Sequence, residues 1–489
     1  MPDSNASKIA KSSLWLTISY ALNKLAQLVA QIYLAHLLSP KDFGIWAMVL
    51  IITTLTDLFQ EQAISAVLIQ RGLDNKKLVD NVYSLGINIS FAMFLLLSLA
   101  GLPISWFFNQ PILFPLIACV SLKFLINAGS GVRGSILQRQ MKFKELAIIS
   151  TAEGIGRMGG ALIFALFGAG VWSFAAGEIC RAITDAVLKR WYCPYQFIYY
   201  LLPDKKKLGE VWSFISSLVS INLAVYANTN SDNFLIGKFL GAKSLGYYNL
   251  AYQLAMLPAF ALSQINKINF SILSQYNDEK RKSYLCQILE LYALFYSPIY
   301  SIGFIIAPWI IPLVYGSEWR ESVPLFQIVL IFAYARGFMS ILGTALNAIN
   351  KPAINAAINW ALVPLSVPAY FIGAKLGGTV GVAIAVTLVM GIAATIWFWF
   401  ATCRAAKWSL NTLATPVILP TVTAIVTTWI VIFLTNSLTL PLQAIVQPLL
   451  VIVVNTFLIS LLSAGRIPRT VLTLFKQIWK SKQKSIQVK

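Results

Sequence analysis

Five basic side chains lie near the middle of long apolar runs: Lys24, Lys123, Arg157, Arg181 and Arg336. A cation near the centre of a bilayer costs about 2.5–3.5 kcal/mol on insertion scales, so such residues persist where they pair inside a bundle or line a wet cavity. Arginine can grip a phosphate or carboxylate through two parallel N–H bonds, whereas lysine acts as a point charge. A wet cationic cavity therefore implies an anionic cargo. Five acids bear on this reading. Glu153 and Arg157 are four apart, and Glu178 and Arg181 three apart, with Asp185 a turn further. Such spacing puts partners on one helix face. These acids are read either as pairs that let the helix insert or as groups that couple an ion. Asp57 and Glu61, on the second apolar run, are candidates to reach Lys24. Lys24 and Lys123 have no acid in their own runs, and Asp232 and Glu290 lie away from the depth of Arg336. Lys24, Lys123 and Arg336 are thus expected to face the cavity.

The elements that carry these residues are membrane helices. A span needs about 20 mostly apolar residues, and in lipid every backbone group must be satisfied within its own segment. About 14 such runs can be counted: 12–36, 43–67, 82–107, 112–132, 146–168, 171–192, 211–236, 245–266, 284–314, 322–346, 354–376, 379–402, 414–435 and 442–463. The fold class is all-α polytopic. Residues 1–11 are polar and the following run is too long for a signal-peptide core, so it is read as a retained first span. With an even span count both termini share a side. About 28 of the Lys and Arg residues fall on that side and about five on the other, which by the orientation rule puts both termini in the cytoplasm. The net charge of +20 is then mostly cytoplasmic loops and a basic tail drawn to anionic lipid, and no nucleic-acid partner is expected. Five scattered cysteines and one histidine offer no metal-type spacing; no metal and no cofactor are expected.

Shifting the chain by 202 residues lays 31–46 over 233–248 without a gap, so that Leu38 meets Leu240, Lys41 meets Lys243 and Gly44 meets Gly246. An even number of spans separates the two segments, as in parallel transporter repeats, whose substrate lies between the halves. The expected organisation is a lobe of six helices at 1–192, a cytoplasmic linker at 193–210, a second six-helix lobe at 211–402, two peripheral helices at 403–465, and a basic cytoplasmic tail at 466–489. Gly154, Gly156 and Gly159 spell a nucleotide fingerprint, but inside an apolar helix with no preceding strand. Gly156 and Gly160 instead make a face for close helix approach. Pro103, Pro258, Pro298, Pro364 and Pro368 fall inside spans and permit bends.

Five stretches carry a resemblance: LSPKDFGIWAM (38–48), SAVLIQR (65–71), LQRQMKF (137–143), DNFLIGKFLGAKSLGYYNLAYQLAMLP (232–258) and YGSEW (315–319). The chain resembles the Wzx-like oligosaccharide flippases of the polysaccharide-transporter branch of the MOP superfamily, over about residues 8–465. The resemblance implies 14 helices in two lobes and a cationic central cavity. It implies transfer of undecaprenyl-diphosphate-linked sugar units across the bacterial inner membrane by alternating access, for O-antigen, capsule or exopolysaccharide synthesis. The expected partners are that lipid-linked oligosaccharide, membrane lipid, H+ or Na+ as coupling ion, and glycan polymerases. The protein is not expected to be an enzyme. A membrane glycan polymerase should carry a large polar outer loop, and every outer loop here is short. A lipid II flippase and a MATE-type cation-coupled drug antiporter are the rival readings. The antiporter fits less well, because such proteins typically have 12 spans and a cavity suited to cations.

Overall fold

The computed structural model describes residues 23–71, 76–201, 223 and 226–463; the side chains of 57–71 and of seven later residues fall outside the described set. Every regular element among the described residues is a helix. In chain order, α1 is described over 23–37, α2 is Pro40–Arg71, α3 Lys76–Phe108, α4 Leu113–Ile126, α5 Ser130–Arg139, α6 Phe143–Leu166 and α7 Trp172–Tyr192. Then follow α8, described over 226–239, α9 Gly241–Ala255, α10 Leu257–Gln275, α11 Asp278–Tyr315, α12 Ser322–Ala348, α13 Pro352–Val386, α14 Ala394–Ala406, α15 Leu410–Thr435 and α16 Leu440–Leu462. Seven helical stretches among the described residues are long and apolar enough to cross a bilayer, or eight if the bent pair α4–α5 is one span. The chain is a multi-pass, all-helical membrane protein.

Local chemistry redraws several expected spans. The run at 112–132 is not one helix: α4 and α5 meet at 47° across Gly129, whose φ of +78° places it in the left-handed region. The run at 245–266 is likewise divided, because Pro258 sits in the first turn of α10 rather than inside a helix. There its missing N–H costs nothing. Pro103, Pro298, Pro364 and Pro368 do lie inside helices. The runs 354–376 and 379–402 part at Gly377 and Gly378, which leave helical geometry. Gly373 and Gly381 then approach backbone to backbone across that break.

The chain forms two compact units. The first comprises residues 1–249 with 314–319 and 370–382, and the second 250–313, 320–369 and 383–489. In the first, α6 packs along α7 and α3 along α4. The α6–α7 seam is lined by glycine: a methyl on Gly156 would meet Thr184 Oγ1 at 2.7 Å, one on Gly160 Cys180 Sγ at 2.8 Å, and one on Gly177 the Arg157 carbonyl at 2.6 Å. Residues 194–201 run without helix along α3, where the Ile198 N–H donates to Asp80 Oδ1 (3.2 Å) and the Tyr200 N–H to Ser84 Oγ (2.9 Å). The two segments matched by the 202-residue shift also touch. Gly44 leaves no room for a methyl against the Ala242 carbonyl, and Gly246 none against the Pro40 carbonyl. Pro40 and Ala242, like Gly44 and Gly246, are 202 apart, so each contact is the counterpart of the other. In the second unit, α15 and α16 pack together, and Val431 and Val451 close on Ile305 of α11.

Candidate functional site

The first unit gathers four of the five cations. Glu178 on α7, 5% exposed, holds two guanidinium groups at once. Arg157 Nε of α6 lies 2.8 Å from its Oε1, and Arg181 Nε lies 2.9 Å from its Oε2. Arg181 reaches back across the seam with its terminal nitrogen to Glu153 Oε2, at 3.6 Å. The i, i+4 pairing of Glu153 with Arg157 expected from spacing is therefore replaced by crossed pairing. Arg157 goes to the acid of α7, and the acid of α6 receives Arg181. The close glycine seam explains this, since it brings facing helices nearer than flexible side chains need to reach along one helix. The Glu178–Arg181 pair stands as spaced. Asp185, one turn on, receives Lys189 Nζ at 2.5 Å.

Lys123, on α4, is only 4% exposed and sits 5.1 Å from the ring of Phe124. It also lies within electrostatic reach of Glu178. Lys24, on α1, is half-buried, donates to Gln27 Oε1 at 3.1 Å and lies within electrostatic reach of Arg157. Its neighbour Asn23 donates to the Ser150 carbonyl of α6 at 3.3 Å. Lys123, Arg157 and Arg181 thus gather at Glu178, Arg181 also reaches Glu153, and Lys24 lies beside Arg157; with the Asp185–Lys189 pair counted, five cations stand against three carboxylates. Asp57 and Glu61 fall on α2, and their side chains lie outside the described residues.

Arg336 belongs to the second unit, on α12, half-buried, with its guanidinium carbon 5.7 Å from the Phe332 ring. No described acid pairs with it. It borders a cavity of about 240 Å³ whose other polar walls are Ser340 and Thr344 one and two turns on, with Asn347, Asn355 and Asn359. The amides are chained: Asn359 Nδ2 donates to Asn355 Oδ1 (2.9 Å), and Asn355 Nδ2 to Asn347 Oδ1 (3.1 Å). Behind Ser340 the chain continues, since Asn266 Nδ2 donates to its hydroxyl at 2.8 Å and Asn269 Nδ2 donates to Asn266 Oδ1 at 3.1 Å. On the facing side α13 and α14 are joined by a π-helical segment, Thr387–Ala393. Gly391 of that segment lies against the Phe332 backbone, and Thr395 Oγ1 donates to the Ala335 carbonyl at 3.0 Å. Such bulges are frequent at functional sites.

Sequence reading missed the asparagine chain, because isolated asparagines in apolar helices carry no motif. The spacing of Asn355 and Asn359, four apart on one face, was the available signal. It also missed the buried pair in which Tyr248 donates to Asp232 Oδ2 at 2.7 Å. Among the described residues no group of His, Cys, Asp or Glu is arranged to hold a metal.

These features can be set beside known proteins. The family described as "Polysaccharide biosynthesis protein" matches residues 33–324. The chain is 24% identical over 399 residues to the lipopolysaccharide biosynthesis protein WzxC of Escherichia coli K12, covering 78% of each chain. Its fold resembles the inward closed lipid II flippase MurJ, with a TM-score of 0.76, 16% identity, and coverage of 93% of this chain and all of that one. It also resembles an inward-facing multidrug resistance MATE family transporter of the MOP superfamily, with a TM-score of 0.62, 14% identity, and coverage of 79% and 96%. A multi-pass helical chain matched by this family's model over more than half its length, the protein belongs to the polysaccharide biosynthesis protein family.

Proposed function

We propose that this protein is a flippase that moves undecaprenyl-diphosphate-linked oligosaccharide from the cytoplasmic to the outer leaflet of a bacterial inner membrane, feeding O-antigen, capsule or exopolysaccharide synthesis. The observation that carries the reading is the cation excess: Arg157 and Arg181 share two carboxylates with Lys123 and Lys24 close by in one unit, and Arg336 has no described acid partner in the other. A diphosphate brings about two negative charges, and charge-assisted bonds to it inside a low-dielectric site run about twice as strong as neutral ones. Family membership supports a polysaccharide role, and the fold likeness supports alternating access.

In this reading 14 helices form two six-helix lobes, at 1–192 and 211–402, with two further helices at 403–465. The reciprocal contact of positions 202 apart supports two equivalent halves. Both termini and the 193–210 segment lie in the cytoplasm, on the strength of the charge asymmetry. Arg336, Lys24 and Lys123 meet the head group, and Glu153 and Glu178 hold the remaining arginines in place. The lipid tail stays in the bilayer while the head group crosses. H+ or Na+ is the proposed coupling ion, and glycan polymerases the proposed protein partners. A lipid II flippase is the second reading, favoured by the MurJ likeness; it changes the head group and leaves the mechanism as it stands.

The test is reconstitution. The purified chain in vesicles should carry a fluorescent prenyl-diphosphate sugar from one leaflet to the other, and cells that lose the protein should accumulate the lipid-linked glycan on the cytoplasmic side. Unchanged lipid-linked pools after depletion, with no transfer in vesicles, would refute the flippase reading.

A further inference from the structure

The walls of the Arg336 cavity differ in kind from the cation cluster of the first unit. A bare phosphate is all acceptor, so a site built for phosphate alone should present donors. Here the guanidinium of Arg336 supplies donors at one end, and the remaining walls are groups that both donate and accept: the Ser340 and Thr344 hydroxyls and three carboxamides. The lone pairs of a carboxamide or hydroxyl oxygen repel a phosphate oxygen but complement the hydroxyls of a sugar. The bonds within the wall leave such capacity open. Thr344 spends its proton on the Ser340 carbonyl (2.9 Å), which leaves its oxygen to accept. Asn347 accepts from Asn355 through Oδ1, and its own amide N–H groups donate to no described residue. The guanidinium of Arg336 likewise donates to no described acceptor. Ser340 and Asn347 are exposed, while Arg336, Asn355 and Asn359 are half-buried. At about 240 Å³ the cavity is smaller than the roughly 300–1,000 Å³ of pockets that enclose a whole drug-sized ligand. It suits about one sugar ring.

We propose that the cavity bounded by Arg336, Ser340, Thr344, Asn347, Asn355 and Asn359 is a carbohydrate subsite: Arg336 takes a phosphate oxygen, and the amides and hydroxyls take the hydroxyls of the first sugar attached to it. The inference rests on the flippase reading and adds to it the part of the cargo that this unit reads. The opposing account is that the asparagines only bind α12 to α13, as polar residues do between membrane helices.

Gly343 separates the two accounts. A methyl built there would meet Asn355 Nδ2 and Phe398 Cε1 at 3.5 Å, ordinary contact distances, so Gly343→Ala narrows the cavity without displacing its walls. The experiment uses the full chain in lipid nanodiscs and two kinds of probe: farnesyl diphosphate, and farnesyl diphosphate capped with glucose, galactose or N-acetylglucosamine. The wild-type chain should hold at least one capped probe about tenfold more tightly than the bare lipid, the scale of one to two added hydrogen bonds. Gly343→Ala and, at the exposed position, Asn347→Ala should each erase most of that preference with the thermal midpoint unchanged. Arg336→Ala should weaken bare and capped probes together. The subsite is overturned if no capped probe is preferred, or if the preference survives in both Gly343→Ala and Asn347→Ala. Vesicle transfer of the capped probe reports separately: preference without transfer keeps the subsite and removes the flippase reading, and transfer without preference does the reverse.

Discussion

In the first unit each described arginine near mid-span is tied to a carboxylate on a neighbouring helix, whereas Arg336 in the second unit faces an aromatic ring and a cavity walled by amides. Both are cations placed in apolar helices, yet they rest on different supports. Glu178 holds two guanidinium groups at 2.8 and 2.9 Å across a seam that glycines bring close. That arrangement is over-determined, because removing any member leaves a charge buried beside others. Arg336 has a ring at 5.7 Å and open donors. Its surroundings change little if it is lost. The comparison teaches that a charge in a membrane helix has two physical justifications, structural pairing and ligand contact, and that they predict opposite balances of stability and activity.

The largest effect should come from Glu178→Ala. Breaking a buried pair costs about 3–5 kcal/mol, and here one acid serves two arginines, although the partial exposure of Arg157 draws the figure toward the lower end. Protein abundance and thermal midpoint should both fall, and export should fall only in proportion. A normal midpoint with export abolished would erase the contrast between the units.

Arg336→Ala should do the reverse. Losing a charge-assisted bond to an anion costs about 1.5–3 kcal/mol, roughly 10–100-fold in affinity for the head group. Membrane abundance should stay at the wild-type level. Quantifying surface glycan against protein level decides it, and a loss of export that merely follows loss of protein makes Arg336 a structural cation.

Lysine replacements sharpen the comparison at a smaller scale. Arg181 contacts Glu178 and Glu153 through different nitrogens, which a single ammonium cannot reproduce, so Arg181→Lys should lower stability by about 1 kcal/mol. Arg336→Lys should leave stability unchanged and recover part of the export lost in the alanine variant. Denaturation midpoints of the two lysine variants, measured side by side, check this.

The smallest effect is expected at Gly159 of the nucleotide-like string, with Gly177, on the facing helix of the seam, as its contrast. Gly159 has nothing within 4 Å of an added methyl, so Gly159→Ala should be neutral or stabilise by about 0.5–1 kcal/mol. Gly177→Ala, whose methyl would sit 2.6 Å from the Arg157 carbonyl, should instead cost about 1–3 kcal/mol and loosen the crossed ion pairs. Equal behaviour of the two variants would show that the seam does not position the charges.

Much of this was legible in the chain itself. Long apolar runs interrupted by five cations determine a multi-pass helical protein, because lipid allows no other way to satisfy the backbone and each cation there demands a reason. The 202-residue match, the glycine faces and the separation of Arg336 from any acid are also properties of the string. Tertiary structure decided which partner each charge takes. Glu178 serves Arg157 as well as Arg181 because α6 and α7 approach across glycine, and no spacing rule within one helix contains that distance. It also decided that α4 and α5 bend at Gly129, that Pro258 starts a helix, and that Asn347, Asn355 and Asn359 join Arg336 around one cavity. Periodicity along a helix says which residues share a face. Only packing says what the face meets, since the energy of a buried polar group depends on the partner brought to it by another part of the chain.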